Sequence, residues 1–403
     1  MANLPKHIKI YKVDINKIRQ DTKGCHDKIF LNSAGSALMP ASVVHTMQEY
    51  LEAEEMIGGY LLATQREHAI ARFKIETATL LHAQPHNIAF AASATDAFAT
   101  ALSSIPFKKG DVVVISNNDY SSNQIALMQL TKRFDIEVIR CRHNEEGDID
   151  VAAFDQILQT KHPKLVTISH VPTNSGIVQQ AKEVGALCKK YDILFLLDAC
   201  QSVGQMDVNV QELHCDFLTA TGRKFLRGPR GTGFLYVSDK VLKQGYTPLF
   251  VDQYGADWTA ADSFTIQKDA DRFETWEKNV GAQLGLAEAV RYLNEVGIGA
   301  VEKRNIALQL YFREKLATVA GLILLDRGSR KSNIITFHHQ KHSIGTLAKK
   351  LTEANIYYST TGKSSAFIDF SLKGVEEAIR FSPHYYNTFE EIDEAVEVLA
   401  GMV

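Results

Sequence analysis

Apolar positions change their rhythm partway along the chain. Between about residues 87 and 237, short apolar and β-branched runs alternate with stretches of helical period: 87–92 then 95–105, 111–116 then 123–134, 165–169 then 180–191, followed by runs at 193–199, 217–220 and 233–237. A run that is apolar at nearly every position suits a strand covered on both faces, so this alternation predicts an α/β fold with a mostly parallel sheet between helical layers. Beyond about residue 270 the pattern becomes amphipathic helices at 281–295 and 301–317, then two weaker strand-like runs, Ile334-Ile335-Thr336-Phe337 and Phe367-Ile368-Asp369-Phe370. That tail predicts a smaller α+β domain, with the leader packed against it. No linker separates the halves. The pattern gives a large domain over residues 60–265 and a small one built from 1–59 and 266–403.

Composition narrows the class of protein. The 403 residues are 45% hydrophobic and 23% charged, with a formal net charge of −3. That balance gives no reason to expect nucleic acid or an anionic membrane as partner. The start, Met1 to Lys9, lacks the apolar core of a signal peptide, and no stretch reaches the roughly 20 apolar residues of a membrane span, so a cytoplasmic location is expected. Five cysteines (Cys25, Cys141, Cys188, Cys200, Cys215) show neither CxxC nor CxxH spacing, which points to reduced thiols. His338-His339-Gln340-Lys341-His342 reads as a solvated turn without a metal.

The chemistry concentrates in two places. The apolar run Ile193 to Leu197 ends in Asp198, and further on Lys224 sits in the glycine- and hydroxyl-rich run Thr221-Gly222-Arg223-Lys224-Phe225-Leu226-Arg227-Gly228-Pro229-Arg230-Gly231. A strand-end acid and a lysine in such a turn are what pyridoxal 5′-phosphate chemistry requires: one to protonate the ring, the other to hold the aldehyde as a Schiff base. A phosphate cradle follows from Ala92-Ser93-Ala94-Thr95-Asp96-Ala97-Phe98, where small residues turn from a strand into a helix beginning at Thr95. Ala94, Thr95 and Asp96 would face the phosphate there, and Thr221 and Arg223 suit the same oxygens.

Taken in chain order, these motifs, together with His170-Val171-Pro172-Thr173-Asn174-Ser175-Gly176, Asp198-Ala199-Cys200-Gln201 and Arg380-Phe381-Ser382-Pro383-His384-Tyr385-Tyr386-Asn387, resemble the class V aminotransferases, the group of cysteine desulfurases, selenocysteine lyases and isopenicillin N epimerase-like proteins. The resemblance implies the type I fold of pyridoxal phosphate enzymes, with a seven-stranded sheet, and a homodimer. It also implies that Lys224 holds the cofactor, that Asp198 pairs with the ring nitrogen and that Gln201 meets the ring oxygen with help from Thr173 or Asn174. Tyr120 would stack on the ring where relatives often have histidine, Asn32 and Arg380 would bind the substrate, and Thr275 or Trp276 would reach a neighbouring subunit's phosphate. Cys200 would pack beneath the cofactor.

One departure bears on the reaction. Desulfurases of this family place a sulfur-accepting cysteine shortly before the carboxylate arginine; here the segment reads Ser359-Thr360-Thr361-Gly362-Lys363-Ser364-Ser365-Ala366, and no cysteine follows Cys215. A persulfide mechanism is therefore not expected. β-Elimination of a cysteine-derived amino acid needs no such thiol, and Ile57-Gly58-Gly59-Tyr60 with the 222–231 run looks most like the family's carbon–sulfur lyases, hercynylcysteine sulfoxide lyases among them. An aminotransferase, an epimerase and a catalytically silent scaffold stay open. Arg72, Lys278 and Lys363 are candidates for binding an anionic substrate tail.

Overall fold

The computed structural model describes residues 13–402, so the leader from Met1 to Lys9 lies outside the described residues. The large sheet has seven strands: β1 (Ile88–Ala91), β2 (Val112–Ile115), β3 (Glu137–Arg140), β4 (Leu165–Ser169), β5 (Leu194–Asp198), β6 (Phe217–Thr221) and β7 (Gly233–Val237), in spatial order β1-β7-β6-β5-β4-β2-β3. Only β7 runs antiparallel to its neighbours. Alternate residues enter different cores, as strand geometry requires. Phe195 and Leu197 of β5 point into one with Phe154, Val184 and Leu286, while Leu194 and Leu196 point into the other with Phe98 and Leu127. The carboxyl ends of β4, β5 and β6 lie side by side, with Ser169 opposite Asp198 and Asp198 opposite Thr219.

Four antiparallel strands (Leu322–Leu324, Ile335–His339, Glu377–Phe381 and Ser359–Gly362, in that spatial order) form the small domain's sheet, with a core that includes Leu308, Phe312, Phe337, Phe381 and Leu399. The run 367–370, expected as a strand, is instead part of a helix, Phe367–Lys373. The leader does reach this domain: Ile29–Phe30 pairs with Ile356–Tyr357, and Leu31 joins the core.

Packing draws the domain border elsewhere than at residue 265. The helix Val280–Val296 contributes Leu286, Ala287, Val290 and Leu293 to a core of the large sheet, and Ala270 and Phe273 pack on that sheet's other face. The helix is buried on most of its faces, so it needs cover on several sides. On its outer side lies the leader helix Ala41–Ile57, close enough that a Cβ on Gly285 would meet Met47 Cγ at 2.7 Å.

The turn after β6 is braced by a residue with no acid partner among the described residues. Arg227, 1% exposed and at φ 62°, donates to the Leu38 carbonyl (2.8 Å), the Tyr385 hydroxyl (2.7 Å) and the Thr22 hydroxyl, and lies over the rings of Tyr292, Tyr385 and Tyr386. Both ends of the chain thereby meet behind Lys224.

Candidate active site

Ligands of such sheets bind beyond the carboxyl ends of the strands. A cavity of about 220 Å³ lies there, lined among others by Ala94, Thr95, Tyr120, Thr173, Asp198, Gln201, Thr221, Arg223 and Lys224. Asp198 is held from two sides. The Asn123 amide donates to its Oδ2 (2.8 Å) and the Cys200 backbone N–H to its Oδ1 (3.0 Å). Its carboxylate is thus fixed and directed by neutral donors.

Lys224 is 7% exposed on a turn closed by Gly228 N–H to the Gly222 carbonyl (2.8 Å). Burial pushes its ammonium below the ordinary lysine range; Cys200 and Asp198 oppose that shift, while the charges of Arg223 and Arg380 add to it. Its Nζ lies 5.9 Å from the centre of the Tyr120 ring. Tyr120 opens the helix Ser121–Phe134, and its loop is pinned by the buried Asp119, which accepts from the backbone N–H groups of Ser116 (2.8 Å) and Ser169 (2.6 Å).

The helix expected to begin at Thr95 begins one residue earlier. The helix spans Ala94–Ser103, and its cap is Ser93, whose hydroxyl accepts from Asp96 N–H at 3.1 Å. The amides of Ala94 and Thr95 find no acceptor among the described residues and so remain available to an anion. Asp96 is not a lining residue: its amide is taken by Ser93, and its exposed carboxylate folds back onto Ala92 N–H at 3.3 Å. Arg230 and Gly231 also line the cavity.

At the substrate side, Thr173 and Asn174 diverge. The Thr173 hydroxyl accepts from Gln201 Nε2 (2.6 Å) and Arg380 (3.2 Å), whereas Asn174 does not line the cavity. Arg380 and Asn32 do not line the cavity either but adjoin Thr173: Arg380 also donates to the Thr173 carbonyl (3.0 Å) and the Asn32 side chain (3.4 Å), and burial, then the charge of Arg223, brings its guanidinium down to about 10. Two buried polar atoms here, Gln201 Oε1 and Arg380 Nε, lack partners among the described residues. Thr275 is exposed and donates to the Glu277 carbonyl at 3.2 Å, outside this cavity.

Cys200 lies half-buried against Asp198, and burial followed by that carboxylate's charge pushes its thiol well above the usual range. The three candidate tail-binding cations are each paired: Arg72 with Glu76, Lys278 with Glu274 and Lys363 with Glu376. The histidine run is not a solvated turn throughout. His338 and His339 end a strand, and His339 is buried with its Nε2 at 3.0 Å from the Ala320 carbonyl. Sequence reasoning missed Asn123, the Ser93 cap and Arg230. Asn123 stood in plain view three residues after Tyr120, but only the fold brings Asp198 to it.

An open sheet of this order, with a buried lysine and a strand-end acid lining one cavity at its carboxyl edge, is the architecture of type I pyridoxal phosphate enzymes. Within that class the chain belongs to the aminotransferase class-V family, whose model matches residues 29–395. A probable cysteine desulfurase of Methanothermobacter thermautotrophicus is 27% identical over 395 residues, spanning 96% of this chain and 98% of that protein. Among solved structures, the apo cysteine desulfurase of Thermococcus onnurineus NA1 superimposes with a TM-score of 0.89 at 24% identity, covering 100% of this chain and 99% of that one. The cystine C–S lyase C-DES, solved with its reaction product cysteine persulfide, gives 0.83 at 20% identity over 94% of this chain and 99% of its own. The family's cofactor is pyridoxal 5′-phosphate, and the donor set fits it. The free amides of Ala94 and Thr95, with Thr221 and Arg223, suit a phosphate, and the unpartnered end of Gln201 suits a ring substituent.

Proposed function

We propose that this protein is a carbon–sulfur lyase that eliminates sulfur from Cβ of a cysteine-derived amino acid such as cystine, a cysteine S-conjugate or a cysteine sulfoxide, giving pyruvate and ammonia. The observation that carries this reading is the segment beside Arg380. Where desulfurases of the resemblance have a sulfur-accepting cysteine, this chain has Thr360 to Ser365, and four of its five cysteines are buried in the cores. The remaining one, Cys200, sits next to Asp198 with its thiol held protonated, which suits packing rather than nucleophilic attack.

Each residue then has a task. Bound in the cavity, pyridoxal phosphate supplies an electron sink for the charge that develops at the substrate Cα. Lys224, whose burial favours its neutral form, takes the proton from that carbon. The electron pair left behind expels the sulfur from Cβ, so a C–H and a C–S bond break; a persulfide departs from cystine, a thiol from an S-conjugate or a sulfenic acid from a sulfoxide, and water hydrolyses the released enamine to pyruvate and ammonia. Asp198, fixed by Asn123, would keep a proton on the ring nitrogen, and Tyr120, whose ring lies 5.9 Å from Lys224 Nζ, would stack on the ring. Arg380 receives the α-carboxylate with its planar fork, Asn32 and Thr173 setting its angle. With Arg72, Lys278 and Lys363 committed to carboxylates, a substrate whose side chain carries no net charge fits best. The reading includes a homodimer, with Thr275 reaching the partner's phosphate.

A single-turnover assay of the loaded enzyme with cystine, a cysteine S-conjugate and a cysteine sulfoxide, following pyruvate, tests this. Pyruvate that disappears in Lys224→Ala is the expected result. Alanine and a protein persulfide formed from added cysteine would make it a desulfurase, and conversion to the pyridoxamine form without pyruvate would make it an aminotransferase.

A further inference from the structure

Two adjacent side chains after β4 serve different parts of the molecule. Thr173 turns into the cavity, while Asn174, 6% exposed, reaches across to the small domain. Its Oδ1 accepts from the Thr361 hydroxyl, and its Nδ2 donates to the Ser365 carbonyl at 3.2 Å. Thr361 belongs to the strand that pairs with the one carrying Arg380, where Ser359 lies opposite Arg380 and Thr361 opposite Ala378. Past that strand the segment is held mostly by itself and its neighbour: the Ser365 and Ala366 N–H groups bond the Gly362 carbonyl, and Lys363 N–H bonds the Glu376 carbonyl. Asn174 therefore provides its side-chain anchor to the large domain.

We infer that Asn174 is a positioning residue that clamps the segment Thr361–Ser365, which continues the strand paired with that of Arg380, onto the large domain and so steadies Arg380 before substrate arrives. Removing the carboxamide strands a buried hydroxyl at Thr361, which is 8% exposed, and lets the segment move away. Substrate binding must then order that segment again, a cost borne alike by the bound ground state and the transition state, so it enters KM and not kcat. Asn174 acts through the segment and does not itself line the cavity.

The inference rests on the lyase reading only for its kinetic arm. In Asn174→Ala, hydrogen exchange at 361–366 should quicken locally, with thermal stability of the rest and cofactor occupancy retained. KM for the sulfur substrate should rise about tenfold with kcat within about twofold. Thr361→Val, which cuts the same clamp from the other side, should reproduce both effects, and the double variant should be no worse than either single one. Unchanged exchange at 361–366, strictly additive effects, or a fall in kcat with loss of bound cofactor would overturn the assignment. The exchange arm needs no turnover, so failure of the clamp and failure of the lyase reading are told apart.

Discussion

Ser93 shows how one hydroxyl organises a binding surface. It occupies the Asp96 amide and thereby leaves the Ala94 and Thr95 amides as the free ones. Ser93→Ala should cost about 1 kcal/mol of stability, read by urea unfolding of the apoprotein. It should also weaken pyridoxal phosphate binding several-fold in a direct titration, because the first turn frays. At this scale the sequence is most legible where chemistry is local: Asp198 and Lys224 declare themselves by residue type, strand end and glycine-rich turn. Asn123 does not, since it is 75 positions from the carboxylate it holds. Neither does the parting of Thr173 and Asn174, which depends on Arg380 and Thr361 arriving from the far end of the chain.

Strands buried on both faces are the readable elements. β4, β5 and β6 are buried at every position and mostly apolar, whereas β3, Glu-Val-Ile-Arg at the sheet edge, is exposed at both ends and carries no such run. The run 367–370, part of the helix Phe367–Lys373, reads as a strand because so short and mostly apolar a stretch fits either period. Phe370 is its one fully buried side chain, Asp369 and Lys373 pair one turn apart at 2.6 Å, and Gly374 at φ 67° ends it. β5 matters most among the strands, because it aims Asp198. Phe195→Ala, removing a ring with no solvent exposure, should lower stability by about 3–5 kcal/mol in chemical denaturation.

The molecule as a whole displays more apolar surface than its charge balance alone would suggest. Phe250 (87% exposed), Trp258 (81%), Met56 and Tyr60 (79% each) stand outside the cores of this single chain. Such side chains call for cover, so sedimentation equilibrium should return roughly twice the 44.9 kDa of the chain. A monomer of that mass with full activity would remove the homodimer and the role proposed for Thr275. Fold class and six of the sheet's seven strands were visible in the hydropathy pattern, but the domain border was not. Whether the helix Val280–Val296 serves one layer or the other is decided by which surfaces come to meet it.

The junction behind Lys224 has a temporal consequence. Arg227 holds Thr22 and Leu38 from one end of the chain and Tyr385 from the other, and Arg380 meets Asn32 across 348 positions. Contacts so distant in sequence close late in folding. The central sheet can condense while synthesis is still under way, yet the lysine's turn gains its final support only once residue 385 has left the ribosome. A nascent chain halted before that point would carry Asp198 and Lys224 and still lack a finished cofactor site.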